Sequence, residues 1–261
     1  MTILLGLKLA LVPLIIGGVT LAGRRWGPGV AGWLSAFPVV SAPVLFFIAI
    51  EQGAPFAASA TVATLSAVLA ILLFGIAYAW AATRYGWKIS ALISFAIYFL
   101  MVAVLNAWGP TLSVAALTVA GALIIAPYAY PKTAPPSTDS ASAGAAPAPR
   151  KDIWWRMAAG AVLVFLVTHF SSELGPRLSG LLAMFPVMAS VLAVFSHDVS
   201  GSDFTIRLMR GMVLGYYAFS CFCLALVFAL PIMSIGMAFL LALTVAVLVQ
   251  GLTRIYLMRL R

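Results

Sequence analysis

The chain has 261 residues, of which 64% are hydrophobic and only 8% are charged, and its mean hydropathy is +1.13. Because soluble domains carry about 25% charged residues, this composition excludes an ordinary soluble protein and predicts an integral membrane protein. The net charge of +9 would suggest a nucleic-acid partner for a soluble protein, whereas basic residues of a membrane protein mark the cytoplasmic ends of its helices.

Charges and clusters of glycine, proline and asparagine divide the sequence into nine predicted apolar spans. They lie at about 2–22, 29–50, 57–82, 89–107, 110–130, 153–171, 177–197, 205–230 and 232–253. The first span has no charged segment before it and carries Lys8 internally, so we expect a permanent helix and not a cleaved signal peptide.

Thirteen of the fifteen basic residues fall on one side of this nine-span arrangement. The opposite side holds only Arg177, and Lys8 lies inside the first span. The positive-inside rule therefore predicts an N-terminus outside the cell and a cytoplasmic C-terminus. Since the basic residues are explained by topology, no nucleic-acid partner is expected.

Residues 131–151 interrupt the apolar sequence with five prolines and many Ala, Ser and Thr residues. This composition cannot bury a core and predicts a flexible cytoplasmic linker at 131–152. The linker separates a first half, 1–130, with five predicted spans from a second half, 153–261, with four.

The two halves contain an internal repeat. Residues 27–56 align without gaps to 175–204 at an offset of 148, and ten of thirty positions are identical, including Gly32/Gly180 and Pro38/Pro186. Five spans separate each element from its copy, so the copies would cross the membrane in opposite directions. The predicted fold is an all-α membrane bundle of about nine helices in two inverted-topology repeats, an arrangement found in many secondary transporters.

Pro38 and Pro186 lie about ten residues into spans 2 and 7, near the predicted bilayer midplane. Each proline frees the carbonyl four residues earlier, at Leu34 and Leu182, which must find another partner in hydrocarbon. Paired broken helices at mid-membrane indicate a transport site.

Three serines near these prolines support two interpretations. In the first, Ser35, Ser41 and Ser190 bond the freed carbonyls and the prolines are only kinks. In the second, the same serines and prolines line a substrate site. The sequence leaves both interpretations open.

Lys8 and Arg156 are also paired by the repeat and lie towards opposite membrane faces. Two cations exchanged in this way would suit an anionic substrate. The alternative is that both side chains extend to lipid headgroups, and Trp154 and Trp155 make Arg156 resemble an interfacial anchor.

Glu51, His169 and Glu173 form a predicted polar group in the outer third of the bundle. His169 and Glu173 share a helix face, so a histidine–carboxylate contact there would exchange protons near neutral pH. The alternative is that these groups are simply hydrated. Asn106 and Tyr216 are further candidates for lining a cavity, with interhelical bonding as the default expectation.

Enzymatic signatures are missing from the sequence, which has no phosphate-binding loop, dinucleotide fingerprint, HExxH or GxSxG motif. Cys221 and Cys223 stand alone in an apolar run, which excludes a zinc site or disulfide framework. We expect no catalytic residues, metal or cofactor.

Residues 175–218 contain a glycine, the FP pair, a polar exit and a following helix that bears arginines. In these features they resemble the short GlpM-like and related uncharacterised families of bacterial inner-membrane proteins. The resemblance implies an inner-membrane location and a duplicated bundle similar to drug/metabolite transporters, without substrate residues to carry over. The predicted nine spans differ from the common ten-span plan of such transporters.

These observations predict a multi-pass secondary transporter of a small anionic or amphiphilic solute, working by alternating access. The lipid bilayer and the solute are its expected partners, and a homo-oligomer is compatible with the sequence. The alternatives are a channel, a lipid-carrier translocase, and a non-transporting membrane subunit of an envelope-polysaccharide system.

Overall fold

The computed structural model describes residues 14, 16–22, 25–38, 41–133, 153–159, 161–162 and 175–259, and all regular secondary structure within them is helical. Residues 16–22 and 153–159 are helical. The helices with defined bounds are α1 (Pro28–Ser35), α2 (Ser41–Gln52), α3 (Ala54–Ser66), α4 (Val68–Ala82), α5 (Trp87–Trp108), α6 (Leu112–Ala129), α7 (Gly175–Ala183), α8 (Val187–Ala229) and α9 (Ile235–Arg259). The all-α prediction is confirmed for this part of the chain.

Five helical segments are long and apolar enough to cross a membrane: Ala54–Ala82, Trp87–Trp108, Leu112–Ala129, Arg177–Ala229 and Ile235–Arg254. Four of them agree with single predicted spans to within a few residues, and together the five identify a multi-pass membrane protein. The segment Arg177–Ala229 has 53 residues. As a straight helix it would be ~80 Å long against a hydrocarbon core of ~30 Å, so it accommodates both spans predicted at 177–197 and 205–230.

Glycines with positive φ divide the long apolar segments. Gly201 has φ 81° and interrupts α8, and Gly53 has φ 87° between α2 and α3. The two positions are 148 residues apart, which is the offset of the sequence repeat. Because residues with a side chain rarely adopt this backbone conformation, glycine permits the change of direction at both places.

The helices form a buried centre and an apolar periphery. In the spans that contain α3–α4 and α8, 72% of the most apolar window is buried, against 22–28% in α5, α6 and α9. The outward faces of these three peripheral helices carry exposed apolar residues, including Leu92, Leu117 and Leu248. Such a surface suits contact with lipid tails and would be unfavourable in water.

Candidate functional site at two helix breaks

The two FP pairs interrupt their helices completely. α1 ends at Ser35 and α2 begins at Ser41, whereas α7 ends at Ala183 and α8 begins at Val187. The carbonyls of Pro38 and Pro186 accept the first hydrogen bonds of the following helices, at 2.9 Å from Ala42 N and 2.8 Å from Ser190 N. Each proline therefore precedes a new half-helix, where its missing N–H costs nothing.

The carbonyls predicted to be freed by the prolines are bonded within the breaks themselves. Leu34 O accepts from Phe37 N at 3.3 Å, and Leu182 O accepts from Phe185 N at 2.9 Å. These bonds tighten the last turn of α1 and of α7, a usual way to satisfy carbonyls at a helix end. The expectation that nearby serines bond these two carbonyls is wrong.

The three predicted serines have other acceptors, and one of them connects the breaks. Ser35 Oγ donates to Gly32 O at 2.7 Å and Ser190 Oγ to Val187 O at 3.1 Å, both within their own helices. Ser41 Oγ, at the start of α2, donates to Ala183 O at the end of α7, at 2.8 Å. A polar group at one break thus caps a carbonyl at the other.

A small cavity of about 40 Å³ lies between the breaks. Its polar lining includes Ser35, Ser41 and Tyr216, and Pro186 also lines it. Pro38 and Ser190 are not among the lining residues. A water molecule needs roughly 10–15 Å³ of such volume, so the cavity holds a few waters at most. In this conformation the space between the breaks is too small for an organic solute.

Much of the lining is apolar and was not predicted from the sequence. It includes both FP phenylalanines, with Phe185 also stacked on Phe95 of α5 at 5.8 Å between ring centroids. Met184, Met188 and Met212 line the same cavity. Methionine side chains adapt readily to different shapes and fill irregular space.

The half-helices pack on the opposite repeat through paired glycines. A Cβ at Gly32 would meet Leu208 O of α8, and a Cβ at Gly180 would meet Ala60 O of α3. Gly32 and Gly180 are 148 residues apart, as are Ala60 and Leu208. Each repeat therefore presents its glycine to the equivalent backbone of the other, and only glycine permits this approach.

The carbonyls shortly before the breaks also accept bonds from corresponding helices, although from different positions on them. Trp33 O accepts from Gln250 Nε2 of α9 at 2.8 Å, and Leu181 O accepts from the Tyr98 hydroxyl of α5 at 3.3 Å. The acceptors are 148 residues apart. Like the glycine contacts, these bonds relate corresponding parts of the two halves.

The α1–α9 contact is closed by a group that we term the Trp33 latch, formed by Trp33, Gln250 and Thr253. In addition to the Gln250 bond, Trp33 Nε1 donates to Thr253 Oγ1 at 2.9 Å, and Thr253 Oγ1 donates to Gln250 O at 3.0 Å. The corresponding positions in the other half are Val102 and Leu105 of α5 and Leu181 of α7, which all have apolar side chains.

The equivalent region between α3, α5 and α7 leaves more space between its helices. It contains a cavity of about 370 Å³, here termed the Arg177 cavity, whose polar lining is Arg177, Ser59 and Ser66. Leu105 and Leu181 line its apolar part. The sequence signal for this place was available, since Arg177 is the single basic residue predicted on its side of the membrane.

Arg156 is the predicted site residue whose surroundings differ most from expectation. Its side chain is only 5% exposed, donates from Nη1 to Ser196 Oγ at 3.2 Å, and lies over the Phe195 ring at 5.3 Å. Trp154 and Trp155 are 72% and 70% exposed. The prediction of a solvated interfacial anchor is therefore wrong for Arg156, although the tryptophans occupy an outward surface.

The structure does not bring Arg156 to the helix breaks. Ser196 follows Pro186 by ten residues of α8, or ~15 Å along the helix. Glu51 is exposed at the end of α2. Lys8, His169 and Glu173 lie outside the described residues, so the predicted cation pair and proton-coupling group stay predictions.

Within the described ranges no group of three or more His, Cys, Asp and Glu residues is placed to hold a metal ion. One polar contact outside the breaks joins the Tyr78 hydroxyl to His197 Nδ1 at 3.4 Å. The chemistry at the candidate site is thus that of hydroxyls, helix-end carbonyls and aromatic rings, which bind and orient solutes by hydrogen bonding and packing.

No protein-family model, curated protein or solved structure matches the chain. The resemblance of residues 175–218 to GlpM-like families stays a prediction.

Proposed function

We propose that this multi-pass membrane protein is a secondary transporter of a small anionic or amphiphilic solute, located in a bacterial inner membrane. The observation that carries the proposal is the pair of broken helices that meet through Ser41 and Ala183 around a small cavity. Discontinuous helices at the interface of two repeats commonly form substrate sites in secondary transporters. Their half-helix ends supply polar backbone groups inside an otherwise apolar membrane.

The proposed topology has nine crossings, an external N-terminus and two inverted repeats. The exchanged contacts of Gly32 and Gly180 support the repeats, because a twofold relation would pair equivalent residues in this reciprocal way. A reporter inserted within 134–150 is expected on the cytoplasmic side, and one after Gly109 on the outside. Finding both reporters on the same side would contradict the topology.

Alternating access is favoured by the difference between the two ends of the bundle. In the proposed topology the Arg177 cavity faces outwards, whereas the Trp33 latch closes the equivalent cytoplasmic region. If the repeats exchange these two arrangements, access passes from one side to the other while the central site persists. The present conformation then has its larger space on the outside, with a small cavity at the centre and the hydrogen-bonded latch inside.

Removing the latch tests this mechanism directly. Position 207 is equivalent to Ser59, so Arg207→Cys introduces a thiol on the cytoplasmic side of the proposed topology. In inverted vesicles this thiol should react faster with a membrane-impermeant reagent when Gln250→Val and Thr253→Val together remove the latch. Thr244→Ala, on an exposed face of α9, is the control. Unchanged reactivity at position 207 would contradict a latch.

Transport itself is tested with the purified chain in liposomes. Solute counterflow is expected, and Pro38→Ala and Pro186→Ala should each lower uptake per folded molecule, because a restored helix bond would straighten the break. If the prolines are only kinks, both variants will lose folded yield while uptake per folded molecule stays unchanged. That result would remove the breaks from the mechanism.

The same liposomes distinguish the alternative functions. Movement of labelled polyprenyl phosphate between leaflets without solute counterflow would favour a lipid-carrier translocase. Activity that appears only with a partner protein would favour a membrane subunit of an envelope-polysaccharide system. Melting of the purified protein against a panel of metabolites identifies the solute, since a ligand that binds the folded state raises its stability.

A further inference from the structure

We propose that the Arg177 cavity is an external binding site for the oxyanion group, carboxylate or phosphate, of a small solute. The inference deepens the proposed function, on which its outward orientation rests. It assigns to Arg177 and the two cavity serines a role that the helix breaks alone do not supply.

The cavity has the size and chemistry of a small-molecule site. Its volume of about 370 Å³ lies within the roughly 300–1,000 Å³ of ligand pockets, whereas the cavity at the breaks holds only waters. The polar side chains of the lining are the Arg177 guanidinium and the hydroxyls of Ser59 and Ser66. The guanidinium can only donate hydrogen bonds, whereas the Ser66 hydroxyl already donates to Val62 O at 3.0 Å. Among the residues that the structure describes, no Asp or Glu lines the cavity. This set of groups favours an anion over a cation.

Arg177 is held at the mouth by the turn that ends α5. Its Nη1 donates to Asn106 O at 3.1 Å, and the guanidinium packs on Gly109, where a Cβ would lie 2.7 Å from Nη1. Gly109 has φ 60° and ends α5 in the left-handed conformation. The turn thus requires glycine for its backbone and for the space that the guanidinium occupies.

A guanidinium has five N–H donors in a planar fork that matches carboxylate and phosphate oxygens. One bond to Asn106 O fixes the orientation of the fork and leaves it with further donors. Arg177 is exposed. Hydrated anions can therefore reach it without the cost of burying an unpaired charge.

The cavity also leads towards the helix breaks. Leu181 forms part of its lining, and Met184, one helical turn further along the chain, lines the central cavity. Leu181 thus lies about one turn, ~5 Å along the helix axis, from the cavity at the breaks, and Arg177 lies about two turns, ~10 Å, from it. Opening of this turn would connect the two cavities.

Thiol labelling tests the site without any transport measurement. The experiment uses Ser59→Cys in a Cys221→Ala/Cys223→Ala background, with anionic and cationic methanethiosulfonates that do not cross membranes, applied from outside. The measured quantity is the ratio of the anionic to the cationic labelling rate at position 59, and this ratio is expected to be high. Arg177→Gln should lower this ratio about fivefold, because the two reagents feel the arginine charge with opposite sign.

Matched variants separate binding from a structural role. Arg177→Lys keeps the charge and should largely keep the ratio. Glu51→Cys, exposed at the end of α2, provides a second external thiol whose ratio should not depend on Arg177. If Arg177 only caps α5, Arg177→Gln will lower thermal stability and leave the labelling ratio at position 59 unchanged, which would overturn the proposal.

The source of the anion is decided by protection. Inorganic phosphate or benzoate in the external solution should slow labelling at position 59, whereas replacing phosphatidylcholine by phosphatidylglycerol should not. Protection by the anionic lipid alone would overturn the small-solute site in favour of a headgroup site. An unreactive thiol at position 59 beside a reactive one at position 51 would show that the cavity is closed to the outside. Because no uptake is measured, these outcomes are independent of whether transport occurs.

Discussion

Replacing Gly180 by alanine should destabilise the bundle, because a methyl group has no room where α7 meets α3. The added Cβ would meet Ala60 O and lie 2.9 Å from the Ala63 Cβ, at least half an ångström inside an ordinary contact. The Thr64 hydroxyl shares its single proton between Ala60 O at 2.9 Å and Gly180 O at 2.8 Å. The helices must therefore move apart and disturb both bonds.

The magnitude follows from opposing effects. Overpacking of a buried contact costs about 1–3 kcal/mol, and a weakened buried hydrogen bond adds about 1 kcal/mol. Alanine recovers at most about 1 kcal/mol through its higher helix propensity. The expected net loss for Gly180→Ala is about 1–3 kcal/mol. Gly32→Ala should behave alike, because its Cβ would meet Leu208 O in the equivalent place.

Gly121→Ala in α6 is the matched control, since a Cβ there meets nothing within 4 Å. It should be neutral or stabilising by up to about 1 kcal/mol. Thermal unfolding of the purified variants in one detergent, followed by loss of the monodisperse species, compares the three proteins. If Gly180→Ala has the same unfolding temperature as Gly121→Ala, equal to or higher than that of the original protein, the close approach of α7 and α3 is refuted.

Further substitutions test the helix breaks and the glycine turns. Ser41→Ala should lower the free energy of unfolding by about 1–3 kcal/mol, because it leaves Ala183 O buried without its side-chain donor. The control Thr244→Ala, on an exposed face of α9, should change it by no more than about 0.5 kcal/mol. Chemical unfolding in mixed micelles compares the two variants, and equal midpoints would contradict the Ser41 bond. Gly201→Ala and Gly53→Ala should each lower the free energy of unfolding by about 1–2 kcal/mol, because a residue with a side chain is strained at positive φ. Steric contacts contribute little, since only Pro55 Cδ lies within 4 Å of either added Cβ. A thermal midpoint equal to that of the original protein would show that the turn relaxes freely.

Spans were predictable because hydrocarbon imposes a simple rule on sequence. A helix that crosses it needs about 20 apolar residues and must end where charges or turn residues appear, as between Ala82 and Trp87. The repeat was visible for a related reason. Gly32, Gly180 and both FP pairs occupy places where the backbone tolerates few alternatives, so their spacing can be read without coordinates.

The partners of the polar groups were decided by tertiary structure. Ser41 was placed correctly beside a helix break, but its acceptor is on the other break, 142 residues away. Arg156 resembled an interfacial anchor because two tryptophans precede it, yet its side chain turns inwards to Ser196. Side-chain direction depends on how a helix is rotated against its neighbours, which an almost uniformly apolar sequence specifies poorly.

The sequence by itself determined that this chain crosses the membrane many times and that its two halves share a pattern around Pro38 and Pro186. Only the tertiary structure decided that equivalent regions differ, with hydrogen bonds around Trp33 and a cavity of about 370 Å³ at Arg177. The physical reason is that a repeated sequence specifies the same local breaks in both copies, whereas the volume between helices depends on contacts from distant segments. The space beside each break is therefore a property of packing and not of the motif.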